Sequence, residues 1–235
     1  LDPQLGDVVV QGGKHFWEMH RLAGLLDRHF RAREDVYVAG DMKMLWGIPD
    51  LAEPSPDVAV IFGVRDKQAD RDSFDCVQEG TRPSLVIEVV SSRYAEVRRN
   101  DYEHKVGIYE RAEIPEYILL DPPGPKTDQR YVLTGYRLGA DRKYRPIEPD
   151  SRGFLLSETT KLLFRVVEDG LDVEVVDAVT GERLLDSPEV EEAWKAEIAA
   201  RRAAEERASQ AEERATAAEA ELARLRAELE RSRRD

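Results

Sequence analysis

Apolar positions recur at helical spacing first in HFWEMHRLAGLLDRHFRA, residues 15–32. Phe16, Met19, Leu22, Ala23, Leu26 and Phe30 fall three or four apart, which predicts an amphipathic helix. Val36-Tyr37-Val38-Ala39 predicts a short strand, and GDMKMLWG after it either extends the strand or turns. PDVAVIFGV, 56–64, has a buried-strand pattern that starts at Pro56. Residues 65–80 are polar and loop-like. PSLVIEVVSS, 83–92, is the strongest strand signal in the chain. Residues 93–112 are helical in pattern, with Tyr102, Val106 and Tyr109 on one face. EYILLD, 116–121, predicts another buried strand, stopped by Pro122-Pro123-Gly124. YVLTGYRL, KYRPIEP and the pair LDVEVVD/ERLL around Thr180-Gly181 read as hairpin material. The order is helix, three or four strands, helix, strand, then more β. That predicts an α/β or α+β domain with a mixed sheet.

The pattern changes at Ser187-Pro188. Beyond it Glu, Ala and Arg dominate, and neither Gly nor Pro recurs. Ser187 suits an N-cap, Pro188 the first helical position, and Glu191 and Glu192 the first turn. Leu222, Leu225 and Leu229 form a heptad seam. The same frame runs back through Ala218, Ala215, Ala211, Ala208 and Ala204 to Trp194 and Val190, but fails at Arg201 and Glu197. Two units are therefore expected: a globular domain over 1–186 and a long helix, or coiled coil, over 187–235. Self-association through the leucine end is the expected role of the second, and a solvated single helix is the plain alternative.

Of the 235 residues, 41% are hydrophobic and 35% charged, enough for a core plus a solvated helix. No apolar run reaches the ~18–20 residues that span a bilayer. The opening LDPQLGDVVV has no basic stretch before an apolar run, so no signal peptide is expected. It also lacks a Met, so the start reads as trimmed. Cys76 is the one cysteine, which excludes an internal disulfide and a multi-cysteine zinc site and fits a reducing cytoplasm. The formal net charge is −13, of which −3 lies in the tail and −10 in residues 1–186. Such acidity argues against a non-specific nucleic-acid coat protein. An enzyme that meets DNA through a local patch and a metal ion remains compatible with it.

Phosphate-loop, dinucleotide, H-E-x-x-H and G-x-S-x-G patterns are all missing. His15, His20, His29 and His104 form no credible metal set, and structural or surface roles are expected for them. Cys76, in a polar stretch without a partner base, is expected to be inert. The chemistry-bearing feature is acidic residues inside apolar strands. Glu88 interrupts Leu85-Val86-Ile87 and Val89-Val90, where an ionised carboxylate is costly unless paired or metal-bound. Asp57 begins the 58–62 strand on the same face as Ala59 and Ile61. If the two strands are neighbours, Asp57 and Glu88 meet at one end of the sheet. Mg²⁺ accepts such paired hard oxygens while keeping several waters. The alternative is a strand-capping Asp57 and a Glu88 that is the buried partner of an arginine.

Pro56-Asp57, Glu88-Val89-Val90-Ser91, Asp101-x-x-x-Lys105-x-x-x-Tyr109 and Glu116-Tyr117 with Asp121-Pro122 occur in that order. In this the chain resembles the PD-(D/E)XK nuclease superfamily and, more narrowly, the Uma-type restriction endonucleases of bacteria. The match covers roughly residues 12–170. The resemblance implies a restriction-endonuclease-like mixed sheet flanked by helices and metal-dependent hydrolysis of phosphodiester bonds in DNA. It implies that Asp57 and Glu88, with the carbonyl of Val89, hold Mg²⁺ or Mn²⁺. The superfamily lysine two residues after Glu88 is replaced here by Val90, and the narrower family places that cation on the next helix, at Lys105. The alternative for Lys105 is a surface lysine bonded to Asp101. Glu18 is a possible further ligand, as an acidic residue on the first helix, and Asp101 a possible partner of Lys105. Arg93, Arg98 and Arg99 are the best local basic cluster for a DNA backbone. The expected function is a DNA endonuclease. A non-catalytic DNA- or protein-binding member of the fold, or an interaction protein working through its coil, are the rivals.

Overall fold

A computed structural model of the chain describes residues 13–90, 100–123, 130–189 and 192. Helix α1 spans Gly13–His29. Strands β1 (Val36–Gly40), β2 (Lys43–Leu45), β3 (Val58–Phe62) and β4 (Ser73–Asp75) follow, then the short helix α2 (Cys76–Glu79) and β5 (Pro83–Val89). A π-helical turn, Asn100–His104, leads directly into α3, Lys105–Arg111. Next come β6 (Glu116–Asp121), β7 (Val132–Leu138), β8 (Tyr144–Pro146), β9 (Leu155–Ser157), β10 (Leu162–Val166) and β11 (Val173–Asp177).

Six strands form the main sheet in the order β1-β3-β5-β6-β7-β8. It is mixed: β5 and β6 run parallel, while every other neighbouring pair is antiparallel. A parallel pair cannot be closed by a tight turn. The chain therefore leaves the sheet after β5 and returns through α3, which lays that helix over one face. The mixed α/β architecture is the one expected from the sequence.

Alternation along the strands divides the core in two. Val58 and Val60, Leu85, Ile87 and Val89, and Ile118 and Leu120 face α1, where Met19, Leu22, Leu25, Leu26 and Phe30 cover them. Leu162, Phe164, Val173 and Val175 of the small sheet β11-β10-β9 complete that layer. On the other face Ala59 and Ile61, Val86 and Val90, and Tyr117 and Leu119 meet Tyr109, Ala112, Ile114, Met44, Trp46 and Phe74. Each large apolar side chain so buried contributes about 1.5–3 kcal/mol.

One open alternative is decided, one expectation is corrected and one unassigned stretch is placed. GDMKMLWG turns, at Asp41 (φ 47), and gives β2, which pairs in parallel with β4. Residues 65–80 are not all loop, because Phe74 carries enough apolar surface to anchor β4, and Asp75 caps α2 by accepting from the amides of Val77 and Gln78. FLLSETTKLLFRV, unassigned above, forms the antiparallel pair β9–β10.

The chain divides into two units, Leu1–Asp186 and Ser187–Asp235. The eleven strands among the described residues lie in the first. In the second, residues 187–189 and 192 are helical, and the leucine seam lies outside the described residues.

Candidate active site

Pairing Val58 with Ile87 and Ala59 with Val86 sets the register of β3 on β5. One step further, the antiparallel register puts Asp57 opposite Glu88. Both lie on the sheet face that carries Ala59 and Val86, as alternation predicts. Asp57 Oδ2 accepts from the Val89 amide at 2.7 Å and bonds His15 Nε2 at 3.1 Å. Among the described residues no hydrogen bond falls on its Oδ1. Burial resists ionisation of Asp57, but His15, the Val89 amide and the Lys105 charge outweigh it and hold the carboxyl below its ordinary range.

Glu88 has 0% exposure in a strand of apolar neighbours. The Tyr109 hydroxyl donates to its Oε1 at 2.5 Å, and Lys105 Nζ donates to its Oε2 at 2.9 Å. Burial pushes the Glu88 carboxyl up to about 8, with the Asp57 charge adding to the rise and Lys105 and Tyr109 opposing it. Two carboxylates thus share one end of the sheet with one ammonium and one imidazole beside them. Tyr102, from the π-turn, donates to Asp121 Oδ2 at 3.1 Å. Tyr102, Lys105 and Tyr109 are spaced three and four apart, so one helical face supplies all three contacts.

The site brings together Asp57, Glu88, Val89 and Lys105, as the sequence reading expects. Lys105 is bonded to Glu88. Val90, where the superfamily carries lysine, is buried in the apolar layer. Glu18 is held in a different network: the Tyr131 hydroxyl donates to Oε1 and Arg21 Nε to Oε2, the latter at 3.1 Å. Asp101 lies in the π-turn by its backbone. Arg93, Arg98 and Arg99 lie outside the described residues.

Sequence reasoning missed His15. It is 8% exposed and bonded to Asp57, whereas Phe16 is 54% exposed. The buried face of α1 is the one read from the sequence over Met19, Leu22, Leu26 and Phe30, with Ala23 partly buried, but at its first turn His15 and not Phe16 faces inward. A polar His15 on an otherwise apolar face, a full turn before Met19, is the signal that could have found it. The other three histidines contribute nothing to this site: His20 bonds the Phe16 carbonyl and His29 lies 3.9 Å from Asp177. Cys76 is buried, and burial pushes its thiol up to about 11, which leaves it unreactive.

Glu116, part of the quoted pattern, is a structural carboxylate. It accepts from Ser157 Oγ and Thr159 Oγ1 at 2.6 Å each, from the amides of Glu158 and Thr159, and from Arg137 Nε. Burial opposes its ionisation, but these donors together hold it below its ordinary range. In the parallel register Glu116 pairs with Leu85 while Leu119 pairs with Glu88. It is therefore three residues, about 10 Å, down the sheet from the Asp57–Glu88 end.

For a divalent ion the donor set is a pair. Among the described residues no three His, Cys, Asp or Glu side chains are grouped to hold a metal. A pair fits Mg²⁺ or Mn²⁺, which bind through one or two carboxylates and keep water. The Oδ1 of Asp57 and the raised affinity of Glu88 for a proton both mark a place short of positive charge.

A buried carboxylate pair across two adjacent strands, with a lysine reaching it from the following helix, is the arrangement of a nuclease-type fold. The chain belongs to the Uma2 family, described as "Putative restriction endonuclease", whose pattern matches residues 4–174. A solved structure described as a "putative nuclease", from Anabaena variabilis, is similar at 14% identity and a TM-score of 0.43, over 60% of this chain and 70% of that one. No curated protein matches the chain. Among the described residues no helix is long and apolar enough to cross a membrane.

Proposed function

We propose that the chain is a Mg²⁺- or Mn²⁺-dependent DNA endonuclease that hydrolyses phosphodiester bonds. The observation that carries this reading is the Asp57–Glu88 pair with Lys105 Nζ 2.9 Å from Glu88 Oε2. Asp57, Glu88 and the carbonyl of Val89 are the residues to hold the ion. Its chemistry there, when bound, is to polarise the phosphate and acidify a water. His15 and the Val89 amide keep Asp57 ionised and fix its orientation. The Tyr109 hydroxyl fixes Glu88 from the opposite side. Lys105 brings a compact charge with three donors to the point where negative charge grows on the phosphate. Asp101, one turn before it, orients Lys105. Arg93, Arg98 and Arg99 contact the DNA backbone.

Nicking of supercoiled plasmid with and without Mg²⁺ or Mn²⁺, by wild type and Glu88→Ala, tests the reading. Metal-dependent nicking by wild type alone is the expected result. No nicking by wild type under any of these conditions would favour a non-catalytic DNA- or protein-binding member of the fold.

A further inference from the structure

A groove of about 420 Å³ runs between α1 and the turn after β1, lined by Phe16, Met19, His20, Ala23, Gly40 and Asp41. Both of its walls are hydrogen-bonded to Asp57. The α1 wall reaches the carboxylate through His15 Nε2, and the other wall reaches the Asp57 carbonyl through the Asp41 amide, at 3.2 Å. No residue of the candidate active site lines the groove, but the two elements that wall it converge on Asp57, so it lies beside that site. Its surface is an aromatic ring, an imidazole tilted by 40° against that ring at 4.0 Å between centroids, a thioether, a methyl group and a bare peptide. Its one charged lining residue is Asp41; no Lys or Arg lines it. A phosphate would be repelled there. A flat, uncharged group with N–H donors would stack on Phe16 and offer those donors to Asp41.

We infer that this groove is a subsite for one unstacked DNA base next to the bond that is cut, a step that rests on the nuclease reading above. The volume suits a single small ligand, and a paired base cannot leave its stack to enter without unpairing. The enzyme accordingly prefers DNA with unpaired bases over fully matched duplex. Aromatic stacking is the common way proteins hold bases of a single strand. Gly40 keeps the mouth open. A Cβ there meets Ala23 Cβ at 3.6 Å and the Asp57 carbonyl at 3.7 Å, ordinary distances, so a larger side chain is tolerated by the backbone but fills the groove.

The test uses the full chain in millimolar Ca²⁺ with a deoxyoligonucleotide of about eight nucleotides carrying 2-aminopurine. The probe is offered single-stranded and as a matched duplex. Binding of the single strand with a change in 2-aminopurine fluorescence is expected, with weaker binding of the duplex. Phe16→Ala and Gly40→Val should each weaken single-strand binding about ten-fold, with melting curves showing both variants folded. Equal binding by wild type and both variants, equal binding of strand and duplex, or no binding by wild type overturns the subsite. So does a change of particle mass by light scattering in Phe16→Ala with oligonucleotide binding unchanged, because the groove would then seat a second copy of the chain. Plasmid nicking is scored in parallel. Wild-type nicking alongside variant-insensitive binding removes the subsite and leaves the nuclease reading. Variant-sensitive binding without any nicking keeps a base-binding groove but overturns its place beside a cut bond together with the nuclease reading.

Discussion

At Glu88 a single side chain carries two opposed demands. Its strand needs an apolar residue, yet two donors, Lys105 and Tyr109, meet its oxygens and Asp57 lies opposite. A carboxyl whose folded pKa is raised binds its proton more tightly folded than unfolded. Its contribution to stability is therefore full below the ordinary value of 4.5 and is lost as pH rises through about 8. In chelator, melting of the wild type should fall relative to Glu88→Gln across that window, and parallel curves would show that Glu88 is not the group responsible. On the proposed reading Mn²⁺ binds this pair, so it should raise the melting temperature of wild type by an amount set by its concentration over its Kd. Asp57→Asn and Glu88→Gln should each abolish that rise; an equal rise in all three proteins would place the site elsewhere. Lys105→Ala removes the cation and leaves the carboxylates, so it should keep the fold and the Mn²⁺ response while nicking falls about 10²–10³-fold. Lys105→Arg should restore only part of the rate, because the guanidinium is larger and planar.

Elements explain which parts of this could be read in advance. Strands β3, β5 and β6 were legible because each is an apolar run bounded by Pro or a polar residue, and alternation alone set Asp57 on the face of Ala59. Helix α1 was legible as a helix and in its buried face from Met19 to Phe30, but not at its first turn, where His15 and not Phe16 is buried. Phe16 is more hydrophobic than His15, and nothing local reveals that Asp57, 42 residues away, bonds the imidazole. The pair β9–β10 was illegible for a related reason: Leu155 and Phe164 are buried only because another layer covers them. Glu116 looked like the other acidic residues of the motif, and only its five donors from β7 and the 157–159 turn separate it from them. Truncating it would leave Arg137, Ser157 and Thr159 without their acceptor at a buried place. Glu116→Ala should thus cost about 3 kcal/mol or more in urea unfolding, yet leave the Mn²⁺-induced melting shift intact. Loss of that shift in a folded variant would mean the two ends of β6 act as one site.

Over the whole molecule charge and division of labour set the remaining expectations. The acidity, −10 of the −13, belongs to residues 1–186, so any affinity for DNA has to arise from a few local groups and, on the proposed reading, from the cation. Among the described residues every strand, and both apolar layers, lie within Leu1–Asp186, so this unit has what it needs to fold alone. The sequence of residues 187–235 has Leu222, Leu225 and Leu229 at heptad spacing and, upstream of them, mostly alanine, a residue that buries little area. We propose that this tail assembles copies of the chain and contributes nothing to the sheet. Removing it should lower the number of chains per particle in light scattering while the truncated protein keeps a cooperative melting transition and its response to Mn²⁺. A particle with the same number of chains as the full-length protein would assign assembly to residues 1–186, and loss of the transition would mean that the sheet depends on the tail.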